Sequence, residues 1–339
     1  MAAVLALPIG LGLAGCQEGQ PVDATPLVLR RSGRLGGLRD LVLIDRLVDG
    51  RQLQLFVDRF EATRGDWAEF AASPAGRAVA ATAPTGDPVL PMGNVDLTQA
   101  RAFAAWRYGR LPRAHEWSIA ALGDGRTRYP WGNKDDPTRA NTLELGLGEP
   151  TPVGAFESGR RPEGGQPYDW IGNVSEWTET VPLSWCLRER TYDPLGAVLD
   201  PPGAYTSNAA RARALPALAV WTGPGGLVSP AWAAMLGGRF VPREVWGADF
   251  QAPMSQLVEL VPAGDRRART GVRICMTPRE LLTDLAASPQ EPTAADREQL
   301  RRFVARAGHR AVLQAIWPQI AGRSGTLARW LDQELGGGG

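Results

Sequence analysis

The sequence predicts an α+β fold that is irregular and rich in loops, and three observations carry that expectation. Glycine and proline supply 40 and 28 of the 339 residues, about a fifth of the chain against roughly an eighth in an average one. Strand-type apolar runs at 41–60 are followed by helical periodicity, so both element types are present. From 124 to 277 no long helical period occurs, and short apolar runs are broken throughout by Gly, Pro, Asn and Asp. Such a stretch folds as turns and short strands rather than as a bundle. Hydrophobic residues make up 44% and charged residues 22% of the chain, ordinary values for a globular protein with a real core.

Residues 1–15 form an apolar run that ends in small residues before Cys16. It is shorter than the ~20 apolar residues needed to span a bilayer and suits the hydrophobic part of a secretory signal. Leu13-Ala14-Gly15-Cys16 resembles the lipobox of bacterial lipoproteins. That resemblance implies a signal peptide over 1–16, acylation of Cys16 and a lipid anchor in the cell envelope. Gln17 stands where Asp would mark inner-membrane retention, so an outer-membrane or periplasm-facing position is expected. A stray buried cysteine is the alternative. Residues 17–39 then read as a tether. Outside the cytosol disulfides persist, and with Cys16 lipidated, Cys186 and Cys275 are left either as one bridge or as two unpaired thiols.

The body follows in order. Leu41 to Ile44 and Leu53 to Val57 read as two strands joined at Asp49-Gly50, a hairpin dipeptide. Thr63 with Asp66 can cap a helix that presents Trp67 and Phe70 on one face and closes at Pro74 and Gly76. Asp96 with Gln99 gives a second capping pattern, before a helix carrying Leu97, Ala100, Phe103, Ala104 and Trp106 as far as Gly109. Leu111-Pro112 opens a third helix, with Trp117, Ile119, Ala120 and Leu122 inward and Gly123 as its stop. After Pro278, residues 279–287, 294–307, 310–320 and 326–335 read as helical, so 278–339 is expected as a small helical appendage.

Composition narrows the function. The net charge of +1 removes the electrostatic case for a nucleic-acid partner. Lys134 is the only lysine. His115 and His309 are the only histidines, which excludes a multi-histidine metal site and leaves a Ser-His-Asp triad only these two to draw on. Both are expected to be structural. Arg160-Arg161 and Arg266-Arg267 read as solvated loop charges, although arginine pairs can also hold carboxylates or phosphates.

One segment stands out, Tyr168-Asp169-Trp170-Ile171-Gly172-Asn173-Val174-Ser175-Glu176-Trp177. Hard cations take oxygen ligands from carboxylates and carbonyls. A turn bringing Asp169 and Glu176 beside the carbonyls of Gly172 and Val174 would make such a cage, whereas a solvated acidic loop is the plain alternative. The segment also sits within an ordered series. Phe60-Glu61-Ala62-Thr63, Asn94-Val95-Asp96, Arg110-Leu111-Pro112, Glu116-Trp117, Tyr129-Pro130-Trp131-Gly132-Asn133, Ala140-Asn141-Thr142 and Pro152-Val153-Gly154 precede it. Gly237-Gly238-Arg239 and Gly271-Val272-Arg273 follow it. In this order the motifs resemble the formylglycine-generating-enzyme (sulfatase-modifying-factor) domain family over residues 40–277.

The resemblance implies a loop-rich, C-type-lectin-like fold with early helices and bound calcium. It implies Asp169 and Glu176 as side-chain ligands of one calcium, with Gly172 and Val174 as backbone ligands. A second set would use Asn141 and the backbone of Thr142, with Glu144 or Glu149 substituting in a shortened loop. Trp117, Trp131 and Trp177 fall on motif positions expected to be core anchors. Family oxidases hold copper(I) on two closely spaced cysteines, and soft thiolates are what copper(I) requires. The corresponding interval, about 240–270, contains no Cys. Cys275 instead matches a structural cysteine whose usual partner position is occupied here by Ala104-Ala105, which leaves Cys186 as its partner. Relatives that hold non-haem iron need a His-rich helix, which is absent. Copper and catalytic residues are therefore not expected. The chain is expected to be a calcium-stabilised binding or structural module of the cell envelope, with a protein or glycan partner. The alternative is an oxidoreductase of the formylglycine-generating type acting on a protein cysteine.

Overall fold

Apolar residues clustered over 41–57 build an antiparallel ribbon. In the computed structural model, which describes residues 40–48, 51–123, 127–162, 166–181, 242–288, 292–306 and 308–336, β1 (Leu41–Val48) pairs with β2 (Arg51–Asp58) from Leu41 opposite Asp58 to Val48 opposite Arg51. Only two residues separate the strands, as the hairpin dipeptide predicts; Asp49-Gly50 themselves lie outside the described residues. β7 (Cys275–Met276) joins the other edge of β2, with Val57 opposite Cys275. The two ends of the region spanned by the motifs therefore meet in one sheet, of order β1-β2-β7.

The helices between them start where their caps dictate. At α1 (Arg64–Ala72) the Asp66 amide donates to the Thr63 hydroxyl at 3.1 Å, and the Asp66 carboxylate accepts from the Thr63 amide at 3.1 Å. This helix stops just before Pro74, with Ser73 extended as a following proline requires, but Gly76 falls inside the next helix rather than in the stop. Ser73 ends α1 and caps a second short helix, α2 (Pro74–Ala78), because proline at a first helical position forfeits no hydrogen bond. Before α3 (Leu97–Trp106) the Gln99 amide donates to Asp96, but the Gln99 side chain turns away and bonds the Val79 and Ala80 carbonyls at 3.2 and 3.3 Å. α4 (Ala114–Leu122) begins two residues later than its proline suggested, since the Pro112 carbonyl is spent on the Glu179 amide at 3.0 Å. Gly123, with φ of +74°, ends it as expected, while Ile119 is only half-buried.

The loop-rich half supplies a second sheet from β3 (Ser175–Trp177), β4 (Pro242–Trp246), β5 (Val258–Pro262) and β6 (Thr270–Gly271), in the order β5-β4-β3-β6. β3 runs parallel to β6 and antiparallel to β4. The fold is thus α+β, loop-rich and completed by C-terminal helices α5 (Pro278–Ala287), α6 (Ala294–Val304), α7 (His309–Ile316) and α8 (Thr326–Gly336).

Those helices pack directly on the first sheet. Phe303 and His309 lie 5.1 and 4.9 Å from Phe56 of β2, and Arg306 bonds the Leu41 carbonyl at 2.7 Å. Leu300, Phe303, Leu313, Trp317 and Leu331 share one apolar cluster with Phe56, Phe70 and Phe103. The change of texture at Pro278 marks a change of secondary structure, not the end of the core. No helix of the described residues is long and apolar enough to cross a membrane. Cys16, the 17–39 tether, Cys186 and Gly237-Gly238-Arg239 lie outside the described residues.

Candidate functional site

The segment singled out in the sequence forms a tight, buried loop leading into β3. Asp169, Gly172 and Asn173 have φ of +53°, +85° and +61°, a run of left-handed residues that Asp, Gly and Asn tolerate best. Gly172 is obligatory, because a Cβ there would lie 2.4 Å from the Asn141 carbonyl oxygen. Glu61, just before α1, clamps the loop: it accepts from Asn173 Nδ2 at 2.7 Å and from the Val174 amide at 3.0 Å. The Asn173 amide donates to the Asn141 carbonyl at 2.8 Å, and the Gly154 amide donates to Asp169 Oδ2 at 2.6 Å.

Glu176 and Arg273 form the centre. The Arg273 guanidinium is fully buried, donates to Glu176 Oε1 at 2.8 Å through Nε, and to the carbonyls of Asp58 and Tyr168 at 3.0 and 2.8 Å. It lies 4.6 Å over the Trp170 ring. Trp117 Nε1 donates to Glu176 Oε2 at 2.6 Å, and the Trp117 ring packs on Trp170 and Trp246 at 5.0 and 5.3 Å. A guanidinium with directional bonds on several sides suits this post better than an ammonium would.

The charges do not balance. Glu61, Asp169 and Glu176 are all buried within electrostatic reach of the single Arg273. Burial raises the Asp169 carboxyl to about 6, with the Glu176 charge adding to the rise and the Gly154 amide and Arg273 opposing it. Burial, and then the Asp169 charge, hold Glu61 well above the usual carboxylate range. Burial also raises Glu176, against the pull of Arg273 and the Trp117 indole. Surplus negative charge of this kind is relieved by a proton or a cation.

The residues expected to hold calcium meet this test in part. Asp169, Gly172, Val174 and Glu176 belong to one loop and its strand, and their donors are hard oxygens. Both oxygens of Glu176 already accept bonds, yet each carboxylate oxygen has a second lone pair. Among the described residues no three His, Cys, Asp or Glu side chains converge as a metal centre, so a cation here would lean on backbone carbonyls. Asn141 is buried beside the same loop. Its Oδ1 has no hydrogen-bond partner, while its Nδ2 donates to the Glu149 carbonyl at 2.9 Å. Thr142 Oγ1 donates to Glu144 at 2.8 Å, and Glu144 also accepts from the Met254 amide at 3.0 Å. The orphaned Asn141 oxygen is what a second cation would use.

Cys275 is buried in β7 and has no disulfide to a described residue. Arg110 Nη1 reaches its sulfur at 3.3 Å, yet burial pushes the thiol up. Its expected partner, Cys186, lies outside the described residues. Arg110 is chiefly engaged with Glu116, through bonds of 2.7 and 2.8 Å, and with Glu280 of α5 at 3.0 Å. His115 is half-buried, with burial lowering its pKa. His309 is held between Phe56 and Phe303 with Nδ1 3.0 Å from the Phe303 carbonyl, and burial lowers its pKa to about 4.

Sequence reasoning placed Glu61 and Arg273 in motifs without giving them a role. The signal was present: each is a charge beside apolar residues, Phe60 and Ala62 in one case, Val272 and Ile274 in the other. Trp117 and Trp177 are buried as expected, whereas Trp131 is only partly buried, packed against the edge of the apolar cluster that holds Trp117 and Tyr129.

These motif residues now stand as one bonded network, and the chain belongs to the family described as the sulfatase-modifying factor enzyme 1-like domain, whose profile matches residues 39–209. It is 40% identical over 101 residues to the inactive C-alpha-formylglycine-generating enzyme 2 of Bos taurus, covering 26% of this chain and 32% of that protein. It is 33% identical over 139 residues to the formylglycine-generating enzyme of Thermomonospora curvata, covering 37% of this chain and 44% of that one. Each match thus spans well under two thirds of the curated relative. Among solved structures, Treponema denticola variable protein 1 aligns over 70% of this chain and 93% of its own, with 15% identity and a TM-score of 0.40.

Proposed function

We propose that this chain is a non-catalytic member of its family: a calcium-stabilised binding or structural module held at the cell envelope by a lipid on Cys16. One observation carries the non-catalytic reading. The interval where family oxidases place their copper-binding cysteine pair contains no cysteine; its described part is occupied by β4 and β5. Cys275, the one cysteine among the described residues, is a lone thiol sealed in the core, with burial holding it protonated. One sulfur cannot supply a two-thiolate copper(I) site. A relative whose name already records inactivity is consistent with this reading.

Where calcium binds, Asp169, Gly172, Val174 and Glu176 would hold it, and Asn141 with Thr142 would hold a second ion. The metal would supply positive charge to a loop that has too little. The chain's own residues do the rest. Glu61 ties the loop to the start of α1, Arg273 ties β3 to β2, and Trp117 shields the pair from water. The outer loops are thereby presented on a rigid base, which is how recognition surfaces are generally built. The deciding experiment loads the full chain with copper(I) and supplies oxygen and a sulfatase-type cysteine peptide. Mass spectrometry is expected to show the peptide unchanged. A formylglycine product would overturn the proposal and establish an oxidoreductase acting on protein cysteine.

A further inference from the structure

Trp131 lines an open groove of about 460 Å³ with Arg139, Glu157, Ser158, Arg160, Arg161 and Pro162. That volume lies in the usual range for small-ligand sites, about 300–1,000 Å³. The indole is held in place. It stacks on Tyr129 at 5.0 Å and 13°, and its Nε1 donates to the Lys134 carbonyl at 3.1 Å. Its one polar group is thereby satisfied, so what it offers the groove is apolar ring surface.

The polar groups are oriented as well, and their charges are matched. Arg139 lies 2.9 Å from Asp136 and donates from Nη1 to the Ser158 carbonyl at 3.0 Å. Arg160 is paired with Glu157, and it donates to the Gln166 carbonyl and the Tyr168 hydroxyl, each at 2.9 Å. The Tyr168 hydroxyl donates in turn to Glu157. Arg161 at the rim is not free either. These bonds use only part of each group, since a guanidinium has five N–H donors and each carboxylate oxygen two lone pairs. The groove thus offers fixed donors and fixed acceptors side by side, next to an aromatic wall. Neither sign of charge is in excess among Asp136, Arg139, Glu157 and Arg160.

That combination disfavours two kinds of ligand. A bare ion meets as much repelling as attracting charge. A plain apolar ring strips water from the ion pairs and returns no hydrogen bonds. A pyranose sugar answers both halves of the groove, because its C–H face is apolar and each of its hydroxyls both donates and accepts. We propose that the groove binds an uncharged pyranose, with the C–H face on Trp131 and the hydroxyls on Arg139, Ser158 and Glu157. The described lining includes none of the residues assigned to calcium, so this binding needs no metal. The inference rests on the reading of the chain as a binding module and gives that module a ligand. The two can fail separately, because the copper assay does not involve the groove.

The test is calorimetric titration of the full chain with glucose, galactose, mannose and N-acetylglucosamine, each as the free sugar and as its methyl glycoside. Saturable binding of at least one of them at millimolar concentration is expected. A preference for the glycoside points to a sugar within a glycan chain, and a preference for the free form to a soluble sugar. Affinity should be the same with and without a chelator, and the same at about 50 and about 500 mM salt, because no net charge is recognised. Trp131→Ala should weaken binding about tenfold or more, through loss of the apolar wall. Arg139→Gln, on the surface, should weaken it about fivefold or more, and it decides the matter if Trp131→Ala fails to fold. No saturation by any of these sugars up to about 100 mM, well past the range where weak single-site binding registers, would overturn the proposal. Binding that vanishes with the chelator, that falls tenfold with salt, or that survives unchanged in folded Arg139→Gln would do the same.

Discussion

Replacing Asp169 by Asn isolates the surplus charge at the centre of the fold. The Asp169 carboxyl rises from an ordinary 3.8 to about 6 in the folded protein. At about 1.4 kcal/mol per pKa unit, keeping it ionised costs about 3 kcal/mol. Because the folded value is the higher one, the folded state holds the proton more tightly between about pH 4 and 6, so stability falls as pH rises through that window. Asn keeps the left-handed backbone at φ of +53° and an oxygen for the Gly154 amide. Its buried NH₂ takes back about 1–2 kcal/mol. The net gain of about 1–2 kcal/mol corresponds to about 3–6 °C for a domain of this size. Thermal melts with a chelator at pH 7.5 should therefore show the variant above the wild type, with the advantage gone near pH 4.5. Calcium at pH 7.5 should raise the wild-type melting temperature and leave Asp169→Asn unmoved. A variant melting below wild type at both pH values would refute the charge argument. Equal calcium responses in the two proteins, or none in either, would refute the assignment of Asp169 as a ligand.

Two further perturbations follow from the same network and from the helical end. Arg273→Met should cost about 3–5 kcal/mol in urea denaturation, because it leaves Glu176 buried without its guanidinium; a loss below about 1 kcal/mol would contradict a central role for the pair. His309, with its pKa lowered to about 4, makes stability fall as pH drops from about 6.5 towards 4, by up to about 3 kcal/mol. His309→Phe should flatten acid unfolding in that range, and a variant as acid-sensitive as its parent would count against the assignment.

Local rules in the sequence reached the elements that local physics decides. Thr63 with Asp66 and Gly123 at the end of α4 needed only their neighbours, and the β1–β2 ribbon followed from two apolar runs and a turn dipeptide. What it missed depended on distant partners. Pro112 is consistent with a helix start until the Glu179 amide claims its carbonyl, and the Gln99 side chain is diverted by the carbonyls after α2. Trp131 shares its chemistry with Trp117, but Trp117 meets Glu176 and two more indoles inside, whereas Trp131 stacks on Tyr129 at the edge of the same apolar cluster and bonds the Lys134 carbonyl. Spacing along the chain carries no record of that difference. The appended helices were legible as helices, but their docking through Phe303 and His309 onto Phe56 was not.

The residues that make the family recognisable are, in this fold, the ones that bond to one another. Glu61 holds Asn173, Trp117 and Arg273 hold Glu176, and Arg110 holds Glu116, all of them buried or nearly so. Losing one member of such a set leaves its partner unsatisfied, at a cost of several kcal/mol for a buried charge. The copper-binding cysteines would fall in a different stretch, about 240–270, which this network meets through scaffold contacts: Trp117 packs on Trp246, Glu176 pairs with Trp246 between β3 and β4, and the Phe250 amide donates to the Asn173 carbonyl. These contacts are made by ring faces, strand pairing and backbone groups and need no cysteine, so the scaffold can stand whether or not the cysteines are present. A motif match of this kind measures the survival of a folding network, and activity must be argued separately from the residues that would carry it.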